Sequence, residues 1–377
     1  MNTSFKKIPV FDFVIGEKEK ELINDCLEKS MIGQGFYVKE FEKKFSKFVE
    51  CDYGTTTTSG TTALHLACKT IGLQTNDQVL VSSSTNMASA FAIDYCGAIP
   101  IPIDVEKETW QMDVNKIEEK INKNTKAIMV VHLFGHPVDM DPVLKIAKKF
   151  NLKIIEDCAE VHGVTYKGKK LGSIGDIAAF SFFANKTITC GEGGMVVTNN
   201  KELALKAESL KNLSYGTINK FIHEDIGFNY RLPNISAAMG FAQFLRIEDI
   251  FKEKKRIYER YKNNLKNIKG IQIPFVREWV TRYIMWVFNI CVDPNVFSRD
   301  KLVLSLKNKN IETRNAFVPV NKQKVLIEKY KLFEENSCPN ANYIMDNGFY
   351  LPSGNNISNS DIDFVCEEVI KNLKNIK

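Results

Sequence analysis

The sequence predicts an α/β fold: a large segment built on a mostly parallel central sheet flanked by helices, then a smaller C-terminal α+β segment. Three observations predict it. From about residue 55 to 200, short apolar runs alternate with stretches of helical period. After Arg231 the alternation gives way to long helical patterns. A chain of 377 residues with 44% hydrophobic content can also bury a real core, as one large domain or two of ordinary size.

Taken in order, "QVLVSSS" (78–84), "KAIMVVHLFG" (126–135), "KIIEDC" (153–158), "AAFSFF" (178–183) and "GMVVTN" (194–199) read as buried strands. Between them, "TTALHLACKTIG" (61–72) sets Leu64, Ala67, Cys68 and Ile71 on one helical face. The run "DPVLKIAKKFNL" (141–152) does the same with Val143, Ile146 and Ala147. Pro233 and Asn234 open one or two long helices that end near Gly270. A hydrophobic strand, "YIMWVFNICVD" (283–293), a helix, "RDKLVLSLKNKN" (299–310), and an amphipathic helix after Ser360 complete the chain. The expected division is 1–250 for the large domain and 251–377 for the small one, with the N-terminal segment free to pack on the small domain.

Composition narrows the function classes. The net charge of +6 comes from 51 basic and 45 acidic residues spread along the chain, so no basic arm points to nucleic acid. Nine cysteines with no Cys-x-x-Cys pair argue against a disulfide framework and a zinc ribbon. No stretch of roughly 18 uncharged apolar residues occurs, and the N-terminus lacks the pattern of a secretory signal, so a cytoplasmic location is expected. His65 and His223 read as structural or solvated, whereas His132 and His162 flank the candidate site. Neither pair has metal-ligand spacing with the carboxylates, and no metal is expected.

Four polar features fall at the ends of predicted strands, where open α/β sheets bind ligands. In "SGTTALHL", Ser59, Gly60 and Thr61 precede a helix, whose free N–H groups suit a phosphate, although an ordinary N-cap explains them too. In "IIEDCAEVHG", Asp157 follows a buried strand and Glu160 lies three residues on. A buried carboxylate there requires a cationic or hydrogen-bonding partner, such as a protonated ring nitrogen, unless it caps the next turn. In "SFFANKTITCGEGG", Lys186 is the only basic residue between Phe180 and Val197, in a setting that suits an amine attacking a carbonyl better than a solvated charge. Gly191, Gly193 and Gly194 would let the backbone turn beside a ligand. In "GFNYRLPN", Asn229 and Arg231 could reach a phosphate or carboxylate, or simply form a helix entry.

The order of these motifs, from SGT through D-C-A-E and S-F-x-x-N-K-x-I-x-x-G-E-G-G to N-Y-R, resembles the DegT/DnrJ/EryC1/StrS family of pyridoxal-phosphate-dependent sugar aminotransferases, of fold type I. The resemblance runs from "GQGFYVKEFEKKF" (33–45) through "GFYLPSG" (348–354). It implies pyridoxal 5'-phosphate as cofactor, cycling through pyridoxamine 5'-phosphate. By the same resemblance Lys186 is the catalytic residue that bonds the cofactor and moves the proton. Asp157 pairs with the ring nitrogen, Glu160 meets the ring hydroxyl, and Gly60, Thr61 and Ser181 hold the phosphate. Asn229 approaches that phosphate from a neighbouring subunit, which implies a homodimer with shared active sites. His162, Arg231 and Arg314 fall to the substrates, L-glutamate and a nucleotide-linked keto-sugar of the GDP-4-keto-6-deoxymannose kind, in amino-sugar synthesis for surface polysaccharide.

Two positions depart from the family pattern. Asn86 stands where an aromatic ring usually stacks on the cofactor, and Asn321 stands where a histidine would fall. Relatives that dehydrate sugars carry histidine at the position of Lys186, so the lysine favours amino transfer over that alternative. An aminotransferase for another keto substrate and a non-catalytic sensor are the remaining readings, the sensor being opposed by the presence of Asp157, Ser181 and Lys186.

Overall fold

The computed structural model describes residues 6–374 except 13, 224, 332, 333 and 335. Two amphipathic helices, α1 (Glu17–Glu28) and α2 (Phe36–Phe48), lead into β1 (Tyr53–Thr57) and α3 (Gly60–Thr70). Next come β2 (Gln78–Ser82), α4 (Met87–Asp94), β3 (Ile99–Ile103), β4 (Thr125–Val131), α5 (Met140–Phe150) and β5 (Lys153–Asp157). The short strands β6 (Thr165–Tyr166) and β7 (Lys169–Lys170) precede β8 (Ile177–Ser181), β9 (Gly194–Thr198) and α6 (Lys201–Lys211).

The seven longer strands form one sheet in the order β1-β9-β8-β5-β4-β2-β3. Only β9 runs antiparallel to its neighbours; β3, β2, β4, β5 and β8 pair in parallel. Successive residues of a strand feed opposite faces, and the core divides accordingly. Leu80, Ile128, Ile154 and Phe180 join α2 and the helix Asn234–Leu245 on one side, while Val79, Val81, Met129 and Ile155 join α3 on the other. The strand β3, "IPIPI", escaped the sequence reading because proline cannot donate to a ladder. It is tolerated here because β3 is the edge strand. The strand read over 126–135 stops at Val131, since Phe134 turns into the left-handed region at φ 55 and Leu133–Gly135 form a 3₁₀ turn.

The remainder begins with α7 (Asn234–Leu245) and α8 (Ile247–Leu265), then β10 (Ile271–Gln272), β11 (Val280–Arg282), β12 (Phe288–Val292) and α9 (Arg299–Asn308). It ends with β13 (Arg314–Asn315), α10 (Lys324–Tyr330), α11 (Pro339–Asn347), β14 (Gly348–Leu351) and α12 (Asn359–Lys374). An antiparallel sheet β10-β12-β14-β13 is its centre. The strand expected over 283–293 is only Phe288–Val292; residues 283–287 are irregular, with consequences for the site.

The expected boundary at residue 250 falls inside the continuous helix α8. Its Ile250 and Phe251 pack in the large-sheet core, and its Ile257, Tyr261 and Leu265 pack with β12 and α12. The N-terminal segment lies on the smaller sheet's side: Ile8 N–H donates to the Asn310 carbonyl at 2.9 Å and the Ile8 carbonyl accepts from Glu312 N–H at 2.9 Å. No helix among the described residues is long and apolar enough to cross a membrane.

Candidate active site

A cavity of about 400 Å³ opens at the carboxyl ends of β4, β5 and β8 and the amino end of α3, a size usual for small-molecule sites. Ser59, Gly60, Thr61, Asn86, Asp157, Glu160, Ser181 and Lys186 all line it. Those eight are drawn from separate sequence motifs, and the twist of one sheet brings them together.

The anion end of the cavity follows from local chemistry. Ser59 caps α3, its Oγ accepting from Thr62 N–H at 3.2 Å. The N–H groups of Gly60 and Thr61 therefore stand in the first turn, where a helix offers no acceptor of its own and the dipole is positive. Gly60 packs directly on Ser181: a Cβ at residue 60 would lie 2.6 Å from Ser181 Cβ. Gly194 serves a different purpose from the one expected. A Cβ there would stand 2.2 Å from the Ser59 carbonyl oxygen, so this glycine lets β9 approach the α3 cap rather than a ligand.

Asp157 ends β5 and is nearly buried. Ser89 Oγ donates to its Oδ2 at 2.7 Å, and Ala159 N–H to its Oδ1 at 3.1 Å. Burial pushes its pKa upward, against the pull of Ser89, the Ala159 N–H and the Lys186 charge. Glu160 sits behind Lys186: its Oε2 accepts from Phe134 N–H at 2.8 Å and its Oε1 lies 3.3 Å from Lys186 Nζ. Burial raises the pKa of Glu160 as well, with the lysine charge opposing. Lys186, whose side chain is only 11% exposed, projects into the cavity with no carboxylate nearer than Glu160 among its described ion pairs.

Behind these, His132 and Glu156 form a closed network. Val138 N–H donates to His132 Nδ1 at 3.0 Å, so the proton lies on Nε2, which points at Glu156 Oε2 at 3.2 Å. The N–H groups of Gly172, Ile174 and Gly175 complete the Glu156 carboxylate. Burial works to raise that acid, but His132 and the backbone donors outweigh it and hold it low. Cys158 completes a cluster whose donor atoms lie within 4.8 Å of one another, yet the nitrogens and oxygens in it are already committed to hydrogen bonds.

The far wall is aromatic and comes from distant sequence. Trp286 Nε1 donates to the Asn185 carbonyl at 2.8 Å, and Lys186 Nζ stands 4.1 Å from the Trp286 ring centroid. Phe134 stacks on both Trp286 and Phe317. None of Ser89, Phe134, Trp286, Phe317 or Tyr350 was singled out from the sequence, because one serine among several and aromatic residues in a long chain carry no local mark of where they pack.

The remaining candidates divide between the cavity wall and the rest of the fold. His162 does not line the cavity: it is fully buried among Phe45, Phe180 and Phe182, and burial pushes its pKa down to about 3. Asn229 and Arg231 lie outside the cavity of their own chain; Asn229 is exposed and bridges to Asn212, whose side chain accepts from Arg231 at 2.9 Å. Arg314 is exposed and paired with Glu312 at 2.8 Å, touching the site only through the pairing of β13 with Tyr350. Asn321 is buried, its Oδ1 accepting from Ser83 Oγ at 2.7 Å, so its departure from the family pattern is absorbed inside the fold. Asn86 lines the cavity, but its Oδ1 accepts from Ala88 N–H at 3.0 Å as the cap of α4. His65, hydrogen-bonded to Tyr230, and His223, hydrogen-bonded to the Leu213 carbonyl, lie away from the cavity.

The donor set fits pyridoxal phosphate. Asp157 is a carboxyl held by two donors beside the cavity, the α3 amides and Ser181 suit a phosphate, and among the described residues Asn185 Oδ1 is buried without a partner at the cavity wall. With a largely buried lysine lining a cavity at the carboxyl edge of a sheet carrying one antiparallel strand, fold and site define a pyridoxal-phosphate-dependent aminotransferase of fold type I. The chain belongs to the DegT/DnrJ/EryC1/StrS aminotransferase family, whose model matches residues 14–370. It is 42% identical to the GDP-perosamine synthase of Escherichia coli O157:H7, over 97% of this chain and 98% of that one. It is 36% identical to the GDP-perosamine synthase of Vibrio cholerae, over 98% and 99%. Among solved structures, S. venezuelae DesV in complex with a ketimine intermediate superposes with a TM-score of 0.90 at 29% identity, covering 96% of this chain and 95% of that one.

Proposed function

We propose that the enzyme transfers the amino group of L-glutamate to a GDP-linked keto-sugar of the 4-keto-6-deoxymannose kind, yielding an amino sugar for surface polysaccharide in the cytoplasm. The substrate follows the names of the relatives it matches over nearly full length. The observation that carries the chemistry is the placement of Lys186 Nζ, 3.3 Å from Glu160 and inside a cavity floored by Asp157.

When bound, pyridoxal phosphate supplies an aldehyde conjugated to a pyridine ring that takes up the electron pair released at the donor carbon. The chain's own residues do the rest. The α3 amides at Gly60 and Thr61, with Ser181, bind the phosphate. Asp157 holds a proton at the ring nitrogen, and Ser89 keeps that carboxylate oriented. Glu160 meets the ring hydroxyl and stands beside Lys186, which is the covalent anchor and the carrier of the proton at the reacting carbon.

The reading includes a homodimer. Asn229 and Arg231 lie outside their own chain's cavity, available to a neighbour's, and the adjoining loop exposes Ile218, Phe221, Ile222 and Ile226.

Replacing Lys186 by alanine tests the assignment. Turnover is expected to vanish while circular dichroism and melting behaviour stay as in the wild type, and retained amino transfer by this variant refutes it. A panel of keto-sugar nucleotides, scored by glutamate consumption, tests the substrate: preference for a nucleotide other than GDP overturns that part alone.

A further inference from the structure

Trp286 sits in the irregular stretch just before β12, about a hundred residues from Lys186, and grips the lysine's segment at two points. Its Nε1–H bonds the Asn185 carbonyl at 2.8 Å, pinning the backbone from which Lys186 springs. Its ring centroid lies 4.1 Å from Lys186 Nζ, and the same amine stands 3.3 Å from the carboxylate of Glu160. The indole is itself held. It is 2% exposed, stacked by Phe11 at 5.6 Å and Phe134 at 5.8 Å.

Its carbonyl accepts from Lys254 Nζ at 3.0 Å, and the same amine reaches the Ser353 carbonyl at 2.7 Å. Lys254 is buried, and among the described residues it pairs with no carboxylate. A buried amine with only carbonyl partners is costly unless those bonds fix something. What it fixes is the turn that carries Trp286.

We propose that Trp286 is a positioning residue for Lys186: it confines the amine between the indole face and Glu160, with Lys254 anchoring the indole from α8. The inference rests on Lys186 being the reactive amine. A lysine side chain has four flexible carbons, and an amine that swings away from the reacting carbon transfers its proton slowly. The indole supplies a flat, fixed face and a backbone bond that a purely apolar residue would lack.

Two measurements test this. The first requires no cofactor: lysines of the apoprotein are reductively methylated with ¹³C-formaldehyde, and the Lys186 signal is assigned by its loss in Lys186→Arg. It is expected upfield of the bulk lysine signals because of the indole ring current, and within them in Trp286→Leu. The second follows bleaching of the holoenzyme chromophore by glutamate in stopped flow. Trp286→Phe, which keeps a ring but loses the N–H, is expected to bleach about tenfold slower, with the glutamate concentration at half-saturation changing by less than about twofold. Lys254→Met is expected to slow the same step. An unshifted Lys186 signal in the wild type overturns the proposal, as do wild-type bleaching rates in both Trp286 variants. A wild-type holoenzyme that fails to bleach with glutamate while the methyl signal is shifted overturns the aminotransferase reading, and the positioning role falls with it.

Discussion

Ser89 Oγ donates a 2.7 Å hydrogen bond to Asp157 Oδ2, tying the acid at the end of β5 to the first turn of α4. Thr85 Oγ1, 2.8 Å from Ser89 Oγ, extends the contact toward the cavity wall. Ser89→Ala is expected to leave the fold intact and loosen the acid proposed to face the cofactor ring. Hydrogen bonds to charged groups contribute roughly 1.5–3 kcal/mol, so the cofactor dissociation constant should rise by about tenfold or more. Absorbance titration of the apoprotein measures it, and unchanged affinity would show that the Ser89–Asp157 bond does not serve cofactor binding.

Gly60→Ala tests the phosphate cradle. The added methyl would lie 2.6 Å from Ser181 Cβ, a short and inflexible partner, so α3 or β8 must move. Overpacking of this kind costs about 1–3 kcal/mol. A lower melting temperature together with weaker cofactor binding is the expected result. Weaker binding without any loss of stability would mean that α3 had shifted freely, against the tight packing described.

His162→Leu separates a packing role from a substrate role. The folded pKa is depressed to about 3 from an ordinary value near 6.5, so between those values the unfolded chain binds more protons than the folded one. Stability from this group is therefore present above pH 6.5 and falls as pH drops through the window, at about 1.4 kcal/mol per unit. Urea unfolding at pH 7, 6 and 5 should show the leucine variant losing less stability than the wild type, with activity retained. Loss of activity at full stability would return His162 to the site.

Lys254→Met tests the same sign of effect in a higher window. Burial pushes this amine down to about 7 from its ordinary value of 10.5, so the unfolded chain binds the extra proton between the two. The group's contribution to stability therefore grows as pH rises from 7 to 10.5, by about 1.4 kcal/mol per unit, and is flat below 7. The difference between wild type and Lys254→Met in urea unfolding across pH 7–10 isolates it from the buried tyrosines and cysteines that titrate nearby. A difference independent of pH would mean that Lys254 keeps its proton in the fold.

Much of the site was legible because its polar members carry local marks. Ser59 and Gly60 stand before a helix, Asp157 ends an apolar strand, and Lys186 is alone among apolar residues. His162 misled for the same reason that Glu160 did not. Both follow Asp157 closely, but the turn after Val161 carries one side chain into the cluster of Phe45, Phe180 and Phe182 while the other reaches the cavity. Arg314 looked like a cavity residue by its place in a motif, yet the pairing of β13 with β14 leaves it exposed beside Glu312.

By itself the sequence determined the alternation of strands and helices, the parallel sheet and the order of polar residues at its edge, because periodicity, capping and turn chemistry act over a few residues. Only the tertiary structure decided that Trp286, Phe317 and Tyr350 would wall the cavity, that Lys254 would be buried against two carbonyls, and that the change of core would fall within α8. Those outcomes depend on which faces meet after loops of a hundred residues or more have closed, and no short window of sequence carries that information.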